Sequence, residues 1–387
     1  MLSQLLISLV TQPLIWGGLL AGYFVSRYRI HSERRLFHIA IDSQLKEFKT
    51  FCFYSAFWGV ILSLLFFFIG LKLPASFWLL YQISGIGALF LAGLVIWPSA
   101  TLLVAIGAWL LLWQLTSSVP FSFMPTAIFT DYSAVNRVMA ASLFLLLTLS
   151  AWLSALLRQR YALKNLSPRI SRSHRGRRVG YFKTQQLALI PLVFLVPGTK
   201  MTAGLWQWTT LHLAGTDYHL LVLPLLVGFL ITIRHQLPQA VIKRQVKLQV
   251  INGIIFLLSA GLVYFWPRLF MPLLGLALVV TVINWLIGRR QGKIVHYTQP
   301  FNGVMILGIQ PETPAAKMAL TVGDTILECN HRPVYDEDSF YAARMADATY
   351  CHLRVKSLSG DIKITESAIF SDSPHNLGIM TFPEAVE

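Results

Sequence analysis

The chain has 387 residues, of which 55% are apolar and only 13% are charged, and its mean hydropathy is +0.59. A soluble domain carries about 25% charged residues, so this composition excludes a wholly soluble protein and predicts an integral membrane protein. The formal net charge of +15 is divided unevenly, because residues 294–387 hold 6 Lys/Arg and 12 Asp/Glu whereas the remainder holds 26 and 5. We therefore expect two parts, a polytopic transmembrane domain at 1–293 and a separate domain at 294–387.

Apolar runs of roughly the length that crosses a bilayer recur along the first part of the chain. The candidate spans are residues 5–25, 51–70, 77–97, 101–115, 139–157, 187–201, 219–233, 250–266 and 269–287. The fourth, sixth and seventh runs are short, and Pro191 and Pro197 interrupt the sixth, which is either a span or a re-entrant segment. The sequence therefore predicts an α-helical domain of eight or nine spans.

The distribution of Lys and Arg between alternate loops predicts the orientation. The loops at 26–50, 158–183, 234–247 and 289–293 hold 22 of these residues, whereas the alternate loops hold four. Short cytoplasmic loops are enriched in Lys and Arg, so the first set is expected in the cytoplasm. With an odd number of spans, the N-terminus lies outside and the C-terminal domain is cytosolic.

Two of these basic loops carry further patterns. In the first, apolar residues at 37, 41, 45 and 48 share one helical face flanked by Arg34 and Arg35, which indicates either an amphipathic helix on anionic lipid or a span that extends inward. In the second, Arg175, Arg177 and Arg178 could bind acidic lipid or an acidic partner, although retention of topology also explains them. No aromatic residue is interleaved with these arginines, which disfavours nucleic acid as a ligand.

Motifs for catalysis are absent from the sequence. No His-Glu-x-x-His, Gly-x-Ser-x-Gly or phosphate-binding Gly-Lys-Ser/Thr motif occurs, and the histidines and three cysteines show no metal-ligand spacing. The candidate spans hold essentially no charged residue, whereas ion-coupled carriers usually need one. We therefore expect a protein that is not an enzyme and that needs no metal or other cofactor.

The C-terminal domain carries the most specific pattern. From residue 303, a short apolar strand, a helix start at Thr313 with the sequence Thr-Pro-Ala-Ala, and a Gly-Asp turn before a second strand follow one another. This order resembles a PDZ domain, a small α+β fold. Near the end of the chain, the sequence from Asn376 to Met380 resembles the PDZ carboxylate-binding loop and groove strand, displaced there by circular permutation.

The PDZ resemblance implies a peptide-binding groove and its residues. Asn376, Leu377, Gly378, Ile379 and Met380 would form the loop and strand on one side of the groove. The helix at 338–346 would form the other side, with the small residues Ser339 and Ala343 leaving room for an apolar side chain of the partner.

Many spans followed by one permuted PDZ domain resemble the MinJ family of Gram-positive bacteria. The resemblance implies a non-enzymatic scaffold in the cell membrane, enriched at the septum and poles, that recruits division proteins of the DivIVA and MinD kinds. Two alternatives stay open: an accessory or degenerate subunit of a membrane protease system that presents substrates through the PDZ domain, and a transporter with a regulatory PDZ domain.

Overall fold

Long helices account for most of the chain before residue 290. The computed structural model describes residues 9–10, 12–69, 73, 75–91, 98–118, 137–173, 176–197, 202–203, 206–207, 210–213, 216–289, 297–347, 349–369 and 377–383. The long helices are α1 (Pro13–Phe37), α2 (Lys46–Ile69), α3 (Ala75–Leu91), α4 (Pro98–Ser118), α5 (Arg137–Tyr161), α6 (Pro238–Phe265) and α7 (Phe270–Arg289). Within these residues, five helical segments are long and apolar enough to cross a membrane, in α2, α4, α5, α6 and around α7. These helices are those of a membrane protein.

The segments expected as the sixth and seventh spans are strands, so their prediction as helices is wrong. The strands of this region are β1 (Ser167–Arg172), β2 (Arg178–Pro197), β3 (Thr202–Ala203), β4 (Trp206–Gln207), β5 (Thr210–Leu213) and β6 (Thr216–Ile233). β2 and β6 pair antiparallel in a sheet of order β1-β2-β6-β5. Pro191 and Pro224 lie directly opposite each other in this pair, and each would remove a hydrogen bond from a helix.

The outer edge of β2 is hydrogen-bonded by side chains of α2. The Ser55 hydroxyl accepts a bond from the Leu189 N–H at 2.9 Å. The Ser63 hydroxyl accepts from the Val193 N–H at 3.1 Å and donates to the Pro191 carbonyl at 3.2 Å. An unpaired backbone group among apolar helices is energetically costly, so these hydroxyls allow a strand edge to be buried there.

The outer edge of β6 is closed in the same way by larger side chains. The Tyr81 hydroxyl accepts from the Leu226 N–H at 2.8 Å. The Val222 carbonyl accepts from the Trp78 indole at 2.7 Å and from the Gln12 amide at 2.8 Å. Alternate residues of a strand direct their backbone groups to the same edge. The residue midway between Val222 and Leu226 is a proline, which has no N–H to satisfy.

A glycine allows α2 to approach β2 closely. Ser55, Gly59 and Ser63 are spaced four residues apart and therefore lie on one face of the helix. A Cβ placed on Gly59 would lie 2.9 Å from the Pro191 ring and 3.2 Å from the Pro191 carbonyl oxygen. The face of α2 that supplies the hydroxyls can therefore lie close to β2 because Gly59 has no side chain. Small residues allow the same close packing between helices within membranes.

Residues 297–383 form a small α+β unit, called here the C-terminal module. Its elements are β7 (Val304–Met305), β8 (Gly308–Ile309), α8 (Pro314–Lys317), β9 (Thr325–Cys329), β10 (Arg332–Pro333), α9 (Glu337–Met345), β11 (Tyr350–Lys356), β12 (Ile362–Ala368) and β13 (Ile379–Met380). The main sheet has the order β10-β9-β11-β12, with β7 on β9, and β13 pairs with β8. Ile306, Ile326, Phe340 and Leu353 belong to a core of the module's own.

The module is joined to the start of β2, where β2 pairs with β1, by backbone hydrogen bonds. The Gly180 N–H donates to the Tyr297 carbonyl at 2.8 Å, and the Gln299 N–H donates to the Arg178 carbonyl at 3.2 Å. The rings of Phe182 and Tyr297 meet edge to face, with their centroids 4.8 Å apart. The strand pair between the helices and the C-terminal module are therefore in direct contact.

The first basic loop is not one amphipathic helix, so the alternative of a helix extending inward is the correct one. α1 continues to Phe37 and ends at His38, whose φ of +60° is left-handed. The chain then runs without a helix until α2 begins at Lys46. Residues 38–45, called here the α1–α2 connection, therefore break the helical face that the apolar spacing predicts.

Candidate peptide-binding groove

A groove of about 440 Å³ runs between strand β13 and helix α9. The strand side is lined by Leu377, Gly378, Ile379, Met380, Thr381 and Pro383, and the helix side by Glu337, Asp338, Phe340, Tyr341 and Arg344. Four residues predicted from the sequence, 377–380, thus lie together along the groove. The fifth predicted residue of this loop, Asn376, lies outside the described residues.

The backbone of β13 has one bonded edge and one edge toward the groove. The Gly378 carbonyl accepts from the Gln310 N–H, and the Met380 carbonyl accepts from the Leu307 N–H, each at 2.7 Å. Because backbone groups alternate between the two edges of a strand, the N–H and C=O of Ile379 point away from β8 and into the groove. Within the described ranges, no side chain bonds to them.

Gly378 occupies a position that only glycine fits. Its φ is +83°, and a Cβ placed there would lie 2.3 Å from the Thr313 hydroxyl oxygen. The preceding residue, Leu377, is buried, and its carbonyl accepts from the Ala315 N–H at 3.1 Å. The sequence motif indicated the glycine, but the partner that excludes other residues, Thr313, is distant in the chain and was missed.

The structure places Ser339 and Ala343 beside the groove rather than on its surface. Ser339 and Asp336 form a capping box at the start of α9, in which the Ser339 N–H donates to Asp336 Oδ1 at 2.9 Å. Bonds from the Ser339 hydroxyl and N–H hold the pKa of Asp336 below its usual value. Ala343 is 2% exposed in the module core. Both residues therefore fix the helix that forms one wall.

The helix wall carries opposite charges at its two ends. Glu337 and Asp338 lie in the first turn of α9, and Arg344 lies in the last. The Thr381 hydroxyl donates to Glu337 Oε1 at 2.8 Å, which links the residue after β13 to the first turn of α9. Sequence reasoning missed this link because neither residue belongs to a recognisable motif.

The end of α1 and the α1–α2 connection supply a further side of the groove. Phe37, His38 and Ile39 line the same cavity as β13 and α9. The Ala40 carbonyl accepts a hydrogen bond from the Gln310 side chain. The Ile41 side chain comes within 3.4 Å of a Cβ placed on Gly308 in β8. The groove is thus bounded by both parts of the chain, a feature that no local sequence pattern indicated.

A buried ionic cluster holds this connection in place. Arg29 donates to Glu33 Oε2 at 3.1 Å and also pairs with Glu47, and these side chains are 7%, 0% and 3% exposed. Glu33 Oε2 accepts from the Ile41 N–H at 2.9 Å. Arg29 donates to the Asp42 carbonyl at 3.1 Å. Charges in helices α1 and α2 therefore determine the path of the chain beside the groove.

The predicted basic residues have different environments. Arg34 and Arg35 are exposed near the end of α1. Arg177 lies over the Phe301 ring, with its guanidinium 4.4 Å from the centroid, and Arg178 donates to the Pro383 carbonyl. These last two therefore contact the C-terminal module, whereas Arg175 lies outside the described residues.

No protein-family model matches the chain. The chain is 26% identical over 379 residues to the cell division topological determinant MinJ of Bacillus subtilis (strain 168), which covers 95% of this chain and 91% of that protein. The chain is homologous to MinJ. It is also 43% identical over 96 residues to the probable cell division topological determinants MinJ of Lacticaseibacillus paracasei and Lacticaseibacillus casei (strain BD-II), over 24% of this chain and 26% of each relative.

The homology to the Bacillus MinJ extends well beyond the C-terminal module. An alignment of 379 residues includes most of the helices and most of the β2–β6 pair, together with most of the residues that form the groove. The resemblance to MinJ that the arrangement of spans and module predicted is therefore confirmed.

Proposed function

We propose that this protein is a non-enzymatic membrane adaptor of the cell-division site, and that its C-terminal module is a circularly permuted PDZ domain. The observation that carries the groove assignment is the backbone of Ile379, which faces a cavity beside α9 rather than another strand. The division-site role is supported by homology to a protein named as a cell division topological determinant.

The groove would bind an extended peptide as an added strand. The Ile379 N–H and C=O would bond to the peptide backbone, which supplies affinity, and the cavity between β13 and α9 would receive its side chains. Backbone N–H groups near Gly378 would receive a terminal carboxylate, since a left-handed residue in a turn allows neighbouring N–H groups to converge on an anion. Affinity and specificity would thus come from different atoms of the same site.

We place residues 1–293 in and beside the membrane and residues 294–387 in the cytosol, with the N-terminus outside. The split of 22 to 4 Lys/Arg between alternate loops supports this orientation. The β2–β6 pair begins and ends on the same side of the membrane in this proposal. Replacing two helical spans by this strand pair therefore keeps the number of membrane crossings odd. The described residues contain seven long helices, so a chain that starts outside reaches the cytosolic side after the last of them.

The partners in this proposal are division proteins of the DivIVA and MinD kinds and anionic lipid. The exposed Arg34 and Arg35 at the inner end of α1 suit contact with anionic headgroups. The protein would then be enriched at septum and poles. A fluorescent fusion imaged in dividing cells should show this enrichment, and a uniform membrane signal would contradict the division-site role.

The groove is tested by changing a strand residue that tolerates a polar side chain. Gly378→Glu is unsuitable because its Cβ would collide with Thr313. Ile379 lines the cavity and is half-buried, so Ile379→Glu places a negative charge beside the position proposed for a terminal carboxylate and should abolish recruitment of partners. Ile364→Glu is the matched control, since Ile364 is 68% exposed on β12 of the same module.

Both variants should reach the membrane in normal amounts. Partners would be measured by crosslinking in cells followed by affinity capture of the tagged chain. The groove assignment is wrong if Ile379→Glu captures the same proteins as the wild type. It is also wrong if Ile364→Glu loses the same partners, because the effect would then not be specific to the groove.

A further inference from the structure

We infer that the peptide site is composite, with the membrane part of the chain contributing a third wall through Phe37, His38 and Ile39, and that it takes a partner's C-terminal segment with a basic residue about three positions before its end. This inference rests on the proposed function of the groove. It differs from that proposal because it assigns binding residues outside the C-terminal module.

The segment at Phe37–Ile39 borders the groove and does not fill it. A chain segment that filled the groove would leave no room between itself, β13 and α9, whereas about 440 Å³ remains open among the three. A peptide strand on β13 would therefore be flanked by α9 and by the half-buried Ile39. Burial of apolar surface on this extra side adds to affinity.

The third wall has a fixed position. The φ of +60° at His38 turns the chain sharply out of α1. On the far side, the Gln310 side chain donates to the Ala40 carbonyl and Glu33 accepts from the Ile41 N–H at 2.9 Å. A wall held at both ends does not lose much conformational entropy when a ligand packs on it, so its contacts favour binding.

The charges along α9 indicate the chemistry of the ligand. Glu337 and Arg344 are seven residues apart, or about 10 Å along a helix. Three residues of an extended peptide cover about the same distance. Thr381, three residues after Gly378, contacts Glu337. A terminal carboxylate beside Gly378, on a peptide antiparallel to β13, would therefore place the third residue before it near Glu337 and Asp338, which favour Lys or Arg at that position.

The test uses the full chain in lipid nanodiscs and two labelled octapeptides with free carboxylates. Both peptides end in Leu and differ only at the third residue before the end, which is Lys in one and Glu in the other. Ile39→Ala should weaken binding of the Lys peptide about tenfold, the effect of losing one to two buried methylene contacts. Ile170→Ala is the matched control, since Ile170 is also half-buried but lies in β1, away from the groove.

His38→Gly provides a second variant that keeps the fold. Glycine adopts a φ of +60° without strain, so this change removes a wall side chain while preserving the turn. It should also weaken binding. The Lys peptide should bind several-fold more tightly than the Glu peptide at low salt, and high salt should reduce that difference because the carboxylates are near the surface.

The outcomes separate this inference from the proposed function. If Ile379→Glu abolishes binding while Ile39→Ala and His38→Gly bind as well as the wild type, the groove stands and the third wall is wrong. Tighter binding by Ile39→Ala would mean that the segment obstructs the groove, which also contradicts a wall. A Glu peptide that binds as tightly as the Lys peptide overturns the ligand class. If neither peptide binds the wild type, both proposals fail.

Discussion

Strand pair β2–β6 and strand β13 both have backbone N–H and C=O groups on an outer edge. In the strand pair these groups are hydrogen-bonded by side chains, whereas in β13, among the described residues, they are not. Among the helices, Ser55 and Ser63 bond the edge of β2, and Tyr81 bonds the edge of β6. In the module, the backbone of Ile379 faces a cavity and has no side-chain partner within the described ranges. One edge is closed by the chain itself, whereas the other faces a cavity, where we propose that a peptide pairs with it.

The difference follows from the solvent on each side. In an apolar surrounding, an unsatisfied N–H or C=O has no water to bond, so the edge is tolerated only with internal partners. Next to water, an unpaired edge costs little and can pair with another chain. The same backbone chemistry thus stabilises the structure in one region and, in our proposal, supplies a binding site in the other.

The largest expected effect comes from breaking the buried ionic cluster that holds the α1–α2 connection beside the groove. Arg29→Leu leaves the buried Glu33 and Glu47 without their common cation and should reduce the free energy of unfolding by about 3–5 kcal/mol. The measurement is thermal unfolding of the purified protein in detergent. Arg34→Leu, an exposed position on the same helix, should change stability little. Equal effects of the two changes would mean that the cluster is not a structural link.

A smaller effect is expected from forcing the closed edge open. Gly59→Leu pushes a side chain into Pro191 and should cost about 3 kcal/mol, since overpacking displaces α2 from β2. Gly107→Leu is the control, because a Cβ on Gly107 meets nothing within 4 Å. If both variants unfold at the same temperature as the wild type, α2 does not pack against β2 as described.

The smallest of these effects tests single hydrogen bonds at that edge. Ser63→Ala leaves the Val193 N–H and the Pro191 carbonyl without their partner and should cost about 1–2 kcal/mol. Ser84→Ala is the comparison, because the Ser84 hydroxyl donates to the Tyr81 carbonyl of its own helix and not to a strand of the described residues. Unfolding midpoints of the two variants should differ, and equal midpoints would contradict a closed edge on β2.

The sequence predicted the module better than the membrane part for a physical reason. The order of short strands, the turn at Gly323 and the loop glycine at Gly378 are local features, and the structure gives both glycines a positive φ. Residues 377–380 lie together along one cavity. Ser339 differs, since its spacing on a helix does not reveal that it caps that helix at Asp336.

The strand pair was predicted as two helices because hydropathy reports burial and not conformation. Residues 187–201 and 219–233 are mostly apolar, as expected of strands buried on both faces as well as of helices. Their short length and the prolines Pro191 and Pro197 left a re-entrant segment open as the alternative for the first of them. The hydroxyl partners that stabilise the strands lie more than 120 residues away in the chain, in Ser55 and Ser63.

The contrast between the two edges is tested most directly by hydrogen–deuterium exchange on the full chain in nanodiscs, with and without the Lys octapeptide. The amides of Leu189, Val193 and Leu226 should be protected in both samples, because each donates to a side chain. The Ile379 amide should exchange quickly alone and become protected when the peptide is added. Protection of Ile379 without peptide, or no change on adding a peptide that binds, would contradict an open strand edge at the groove.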